Sequence, residues 1–352
     1  MFHGSYNPED VTFLLRPLTD VRIVTKEEKE KLIATGEHYS DFIVSEDVPS
    51  TEQVIQYVDS LKSHRDFLAS GVNTLAFNIV HESDIGDDEI ILISLVRAGT
   101  PLGVLLKRAV ERQTHKKVYH YGVSIIRDRG IDEEALKYIM NKHRNACGIY
   151  FVDGWTGKGT ITRSLRKSLE ESEIWSGPVK LVVYADPAHV ADLAMTDKDL
   201  VLPFGILNST VAGLISRTVY KENGYHGVHY YENLKHVDLT NHFIEEIDDV
   251  AKQQDTLYYT YPITKLQWSS GGRPVDAINF AKAVSGVSDD NKIKPSISEC
   301  TRALLRRVPR EVYVSSRTDP DLELILTLCK KENVRVMETD HIAPYKAIAV
   351  LI

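Results

Sequence analysis

The sequence predicts an α/β protein built on a mainly parallel sheet. Two observations carry this. Ile90–Val96 (IILISLV), Gly148–Val152 (GIYFV) and Lys180–Ala185 (KLVVYA) are apolar runs too continuous for strands that face water on one side. Helical periodicity follows the first two of them, as right-handed crossovers between parallel strands require.

After Ile90–Val96, Thr100 is a candidate cap and Pro101 suits a first turn; Leu102, Leu105, Leu106, Ala109 and Val110 then recur at helical spacing. After Gly148–Val152, Ile161, Leu165 and Leu169 form one stripe of a helix over Ile161–Glu171. Asp186-Pro187 predicts a third helix, and Asp199–Phe204 a fourth strand. Tyr121–Ile126 reads as an edge strand. Upstream, an N-terminal extension carries two expected helices, Lys26–Gly36 and Ser50–Ser63. Residues 286–294 are polar and precede a proline, so a linker is expected between a large unit, 1–285, and a small αβ unit, 295–352. In the small unit Ser296–Arg307 and Asp319–Glu332 read as helices; Glu311–Ser315, Val334–Met337 and Ala347–Ile352 read as strands.

The bulk properties narrow the function. No apolar run approaches the roughly 20 residues of a membrane span, and the first residues lack a signal-peptide pattern. A cytoplasmic protein with no membrane partner is therefore expected. The three cysteines, Cys147, Cys300 and Cys329, form no CxxC pair, which argues against a disulfide framework or a zinc site. His226 and His229 have a spacing that a metal can use, but no third ligand is evident. The net charge is −8, yet Lys292–Ile352 carries +3, which leaves −11 on the rest. That asymmetry points to a separate C-terminal unit with its own partner.

Ligands of an open parallel sheet bind beyond the carboxyl ends of its strands. Two loops there carry chemistry. In SLVRAGTPLG, Arg97 offers a planar bidentate donor just past a strand, and Ala98 and Gly99 leave the backbone open to close approach. In VDGWTGKGT, Asp153 ends a strand and can accept from ribose hydroxyls. Gly157 and Gly159 expose backbone N–H groups, Thr156 and Thr160 add hydroxyls, and Lys158 adds charge at a helix start. The second loop is neither a Walker loop nor a dinucleotide pattern. Further candidates follow from position. Arg127 and Arg129 flank Asp128, with a hinge at Gly130. Asp186 ends a strand, where it either meets a ligand or caps a helix. Phe204 and Gly205 follow the next expected strand, and Asn208 and Ser209 are alternative caps. The turn Trp268–Pro274 is glycine-rich and carries one arginine.

These two loops resemble those of type I phosphoribosyltransferases. LVRAGTPLG is similar to that family's diphosphate turn, R-x-G-x-P. VDGWTGKGT is similar to its 5′-phosphate and ribose loop, but with one carboxylate, Asp153, in place of two. At finer grain, GSYNPEDVTFLLRPL, the HYS at His38–Ser40, VSIIRDRGID and GILNSTVAGLISRTV resemble the StiP family of tellurite-resistance and stress operons. That family is labelled both cysteine protease and phosphoribosyltransferase-like. The surroundings of the cysteines favour the second label: Cys147 precedes an apolar strand without an oxyanion-loop pattern, and Cys300 and Cys329 have core spacing.

The resemblance implies a type I phosphoribosyltransferase-like core that binds phosphoribosyl diphosphate with magnesium. It would transfer ribosyl phosphate to an unidentified base or related nucleophile, or run the reverse reaction. Asp153 would hold the metal, Arg97 the leaving diphosphate, and Arg127 would lie on a closing loop. Ala98, Gly99, Thr156, Gly157, Lys158, Gly159, Thr160, Asp186, Phe204 and Gly205 would line the substrate. The C-terminal unit resembles the Pelota-type RNA-binding domain, with Arg302, Arg306, Arg307 and Arg310 as expected RNA contacts. A homodimer is a further expected partner. The alternative function is a non-catalytic, nucleotide-sensing RNA-binding protein of a stress operon.

Overall fold

A computed structural model describes residues 2–83, 88–143, 148–254 and 272–351. Six parallel strands form the main sheet: β1 Thr12–Phe13, β2 Glu89–Leu95, β3 Lys117–Val123, β4 Ile149–Trp155, β5 Leu181–Ala185 and β6 Leu193–Thr196. Their order is β1-β3-β2-β4-β5-β6. β2 lies between β3 and β4, so Ile91 registers with Tyr119 on one side and Ile149 on the other. That central position buries nearly every residue of EIILISL and explains its lack of alternation.

Helices cover both faces. One face packs against α1 (Thr51–Glu82), α2 (Gly99–Gln113) and α5 (Thr240–Gln253). The opposite face packs against α3 (Glu133–Lys142) and α4 (Thr160–Glu171). From β2 the chain crosses to β3 through α2, then returns over the other face to β4 through α3. The carboxyl ends of β2 and β4 therefore border the topological switch point, where doubly wound sheets open a crevice.

Local chemistry explains where sequence expectation and structure differ. α1 runs well past Ser63: its capping box, Ser50 with Gln53, opens a helix whose apolar stripe continues through Leu68, Val72, Leu75 and Ile79. α2 begins at Gly99, so Thr100 lies inside its first turn instead of capping it. No helix follows Asp186-Pro187. The buried Asp186 carboxylate accepts from Thr156 Oγ1 (2.5 Å), Val190 N (3.1 Å) and Ala191 N (2.9 Å), which closes a tight turn into β6. Asp199–Phe204 is not a strand. The Asp199 carboxylate is committed to backbone N–H groups far along the chain, and Pro203–Gly205 forms a 3-10 turn. Tyr121–Val123 belongs to β3, with Ile125–Ile126 beyond it paired to Gly130–Ile131 in a short hairpin.

α2 packs so tightly on β4 that a Cβ at Gly99 would stand 2.1 Å from the Val152 carbonyl oxygen. Backbone atoms on both sides cannot yield. Gly99→Ala is expected to destabilise the protein by at least about 2 kcal/mol, read as a lower urea midpoint; an unchanged midpoint would refute this packing.

The C-terminal sheet comprises β7 Ile293–Pro295, β8 Glu311–Val314, β9 Arg335–Glu338 and β10 Ala347–Val350, in the order β7-β10-β8-β9. β8 and β9 are parallel and the other pairs antiparallel. Of the segment expected as a linker, Ile293 and Lys294 stand in β7. α7 (Ile297–Arg306) and α8 (Glu323–Lys331) cover one face and join the apolar core of the large unit. α6 (Pro274–Ser285) covers the other through Ala277 and Ala281. Among the described residues no helix is long and apolar enough to cross a membrane.

Candidate functional site

A cavity of about 190 Å³ opens at the switch point. Its walls are the β2–α2 turn (Leu95–Ala98), the β4–α4 loop (Asp153–Thr162), Ile125 and Arg127 of the short hairpin, and Ile293–Pro295, Glu299 and Arg302 of the C-terminal unit. The two loops singled out from the sequence thus meet. The third wall was not foreseen, because it depends on how a distant unit docks.

That docking is specific. The buried Asp199 carboxylate takes the Ile297 N–H at 2.9 and 3.0 Å and the Lys346 N–H at 2.9 Å. Tyr345 donates its hydroxyl to the Gly157 carbonyl at 2.8 Å. Lys158 reaches the Asp290 and Ile293 carbonyls, so a residue of the loop is itself tied to the C-terminal unit.

The individual candidates fare differently. Arg97 is buried and committed: Nη1 donates to Glu46 Oε1 at 2.6 Å and to the Ile215 carbonyl at 2.9 Å. Burial works against the Glu46 carboxylate, yet Arg97 and Arg306 hold its pKa below the usual value. Thr156 lines the cavity but spends its hydroxyl on Asp186, and Asp186 is fully buried, so the pair braces the loop from within. Phe204 packs between Trp155 and Phe243, with ring centres 6.0 and 5.5 Å away, as a core residue; Gly205 lies against Trp155. Gly159 takes φ +74° and precedes α4, as an exposed-amide turn requires. Arg127 donates to Asn291 Oδ1 at 2.6 Å, while its buried Nε has no hydrogen-bond partner among the described residues.

Of the expected RNA contacts, Arg302, Arg306 and Arg307 are half-buried and Arg310 is exposed. Arg302 lies in the cavity, paired with Glu299 at 3.3 Å and 5.5 Å from the centre of the Trp155 ring. Arg306 reaches Asn208 across the interface, and burial, with Arg302 and Arg97 nearby, lowers its pKa to about 9. Arg310 holds the Ser285 carbonyl and Glu311. Arg307 follows α7 as its C-cap. The i, i+4 pair Arg302 and Arg306 is thus engaged with Glu299 and Asn208, while Arg310 stays exposed.

Asp153 accepts from the Gly154 N–H at 2.8 Å. Burial pushes its carboxyl up to about 7, against that hydrogen bond and the pull of Arg302. Among the described residues no three His, Cys, Asp or Glu side chains converge on a metal position, and the groups near Asp153 are mostly cationic. This donor set does not fit a protein-held magnesium ion. His226 is likewise engaged by Ser124 Oγ at 2.8 Å. Part of the Trp268–Pro274 turn, up to residue 271, lies outside the described residues.

The raised pKa has a consequence for stability. The folded chain keeps the Asp153 proton between the ordinary carboxylate range and about 7, where the unfolded chain has lost it. This group's contribution therefore weakens as pH rises through that window. Asp153→Asn is expected to melt no lower than the parent at pH 8 and to depend less on pH between 5 and 8. A variant that melts lower than the parent at pH 8 alone would contradict it.

Two of the cysteines are inert in this setting. Cys300 and Cys329 are fully buried. Burial, with Cys329 and Asp199 nearby, pushes the Cys300 thiol well up, and burial takes Cys329 to about 11. Cys147 falls in 144–147, outside the described residues. Four residues before it in sequence stands His143, at the end of α3 and at the amino edge of the sheet. Its ring is buried, with Nδ1 2.7 Å from Glu89 Oε2 and Nε2 3.0 Å from the Tyr121 hydroxyl. The sequence reading missed this pair; the short spacing in HRNAC was its only local signal.

Comparison with known proteins places these features. The family model described as tellurite-like stress resistance cysteine protease StiP matches residues 4–248, and the model of the PELOTA RNA binding domain matches 273–352. A curated protein of Acinetobacter baylyi, named Cysteine protease StiP, is 38% identical over 367 aligned positions that cover 99% of this chain and 94% of that protein. These findings overturn the expected phosphoribosyl transfer and the transferase class with it, and they do not support the nucleotide-sensing alternative. The resemblance misled where chemistry was already spent: Arg97 on Glu46, and Thr156 and Asp186 on each other.

Proposed function

The chain belongs to the StiP family, and on that premise we propose that it is a cysteine-type hydrolase, a peptidase like its named relative, with Cys147 as nucleophile. The observation that carries this is the near full-length identity to that relative. The local chemistry agrees. A cysteine nucleophile must reach the thiolate form, and Cys300 and Cys329 are held as thiols by burial. His143 is the base we assign, because its Nδ1 faces the Glu89 carboxylate as a triad histidine faces its orienting acid.

The test uses the full chain and a fluorogenic casein substrate at neutral pH. Hydrolysis is expected to fall in step with iodoacetamide labelling of Cys147. Hydrolysis that survives full labelling of Cys147, or whose loss tracks Cys300 or Cys329, overturns the assignment.

We further propose that the C-terminal domain binds RNA, on the strength of its family match. Filter binding should then weaken with salt; affinity for single-stranded RNA no greater than for an uncharged polymer would refute it. The finer architectural reading, a type I phosphoribosyltransferase-like core, we keep for the fold alone. Its support is the sheet order and the two loops at the switch point.

A further inference from the structure

We propose that the C-terminal domain binds single-stranded RNA at the amino end of β8 and β9, through Arg310, Lys330, Lys331 and Arg335. This rests on the RNA-binding reading of that domain and says where on it the RNA lies.

Topology brings these side chains together. β8 and β9 are parallel, with Glu311 beside Arg335, and α8 connects them. The helix therefore ends where β9 begins. Lys330 and Lys331, in its last turn, come to the same end of the sheet as Arg310 and Arg335. The charged residues of 307–346 divide along this axis. Arg307, Arg310, Lys330, Lys331 and Arg335 stand at the amino end with two acids, Glu311 and Glu332. The carboxyl end holds five acids and two cations, Arg317 and Lys346. One end is thus net +3 and the other net −3, and a polyanion is drawn to the first.

The two ends also differ in what their groups already hold. At the carboxyl end Lys346 pairs with Asp319 at 2.9 Å and Asp321 at 2.6 Å, and Arg317 donates to the Val336 carbonyl at 2.6 Å. The backbone N–H groups of Lys346 and Ile297 are taken by Asp199 of the large unit, so this end is also the docked one. At the amino end Lys330, Lys331 and Arg335 are exposed and form no ion pair among the described residues. Arg310 is exposed as well, and its guanidinium is steadied by the Ser285 carbonyl at 2.5 Å and Glu311 at 3.0 Å.

Apolar surface lies beside these cations. Val284 and Val308 are each 55% exposed, more than any other large hydrophobic residue among those described. Val308 stands two residues before Arg310, and Val284 precedes the serine whose carbonyl Arg310 holds. A solvated charged face has no use for exposed valines. Unstacked bases do, because they pack on apolar side chains and guanidinium planes while their phosphates meet lysines and arginines. An acidic protein segment matches the charge alone, so single-stranded RNA is the better fit.

Fluorescence anisotropy of the full chain with a labelled single-stranded RNA, across a salt series, tests this. The triple variant Lys330→Gln, Lys331→Gln, Arg335→Gln is expected to melt with the parent and to bind RNA at least about tenfold more weakly. Its plot of log affinity against log salt should be shallower by about 2, as three lost phosphate contacts on a single strand require. Arg273→Gln is the control. Arg273 is an exposed cation at the start of α6, whose other end meets Arg310, so parental affinity is expected. Polyglutamate at matched charge should fail to displace the RNA. Equal affinity and slope in the triple variant and the parent, or a larger loss in Arg273→Gln, overturns this surface while RNA binding stands. Displacement by polyglutamate overturns RNA as its partner. An absence of RNA binding by the parent overturns the domain reading and the surface together.

Discussion

Asparagine at position 143 is expected to lower kcat/KM for peptide hydrolysis by about three orders of magnitude. Asparagine keeps a hydrogen-bonding group near the Tyr121 hydroxyl and the Glu89 carboxylate, but it cannot take a proton from a thiol. Because His143 is buried with both nitrogens engaged, the shorter asparagine cannot meet both Tyr121 and Glu89 as the imidazole does. Leaving the buried Tyr121 hydroxyl unsatisfied costs roughly 1–3 kcal/mol, so melting must be measured beside activity. Glu89→Gln supplies the second reading. It keeps the hydrogen bond, removes the charge, and is expected to reduce kcat with a smaller change in KM. A folded His143→Asn protein with parental kcat/KM would remove His143 from the mechanism.

Leucine at position 199 is expected to loosen the C-terminal domain. The Asp199 carboxylate receives the N–H groups of Ile297 and Lys346, one opening α7 and the other just before β10. Without an acceptor these donors stay buried between the two units, a loss of roughly 2–6 kcal/mol if each costs 1–3. The measurable results are a melting temperature lower by several degrees and trypsin cleavage that appears first in 272–351. Asp199→Asn retains one acceptor and should lie between leucine and the parent. Burial pushes the Asp199 carboxyl up to about 7, so its contribution, like that of Asp153, weakens as pH rises from the ordinary carboxylate range toward 7. Asparagine should remove that share of the pH dependence. Parental melting and proteolysis in Asp199→Leu would show that docking rests elsewhere.

The parts legible in the sequence were those fixed by local pattern. IILISLV could only be a strand covered on both faces, and the turns after Val96 and Val152 stood at strand ends where the switch-point rule places ligands. What escaped was set at long range. Asp186 looked like a ligand contact or a cap, and Asp199 like a strand start; they proved to be buried acceptors serving Thr156 and, from 98 and 147 residues away, Ile297 and Lys346. Arg302, Arg306, Arg307 and Arg310 looked like RNA contacts. Docking turned Arg302 into the cavity and Arg306 into the interface. The function was misjudged for a related reason. A loop pattern shows which groups lie near a ligand position, not whether, like Arg97, they already hold a partner.

The central claim is that this chain cuts peptide bonds with Cys147. Its most direct test is hydrolysis of fluorogenic casein by the full-length parent beside Cys147→Ser, Cys300→Ser and Cys329→Ser, each confirmed as folded. The account predicts activity in the parent, near-parental rates in the Cys300 and Cys329 variants, and none above background in Cys147→Ser. Undiminished hydrolysis by Cys147→Ser would contradict it.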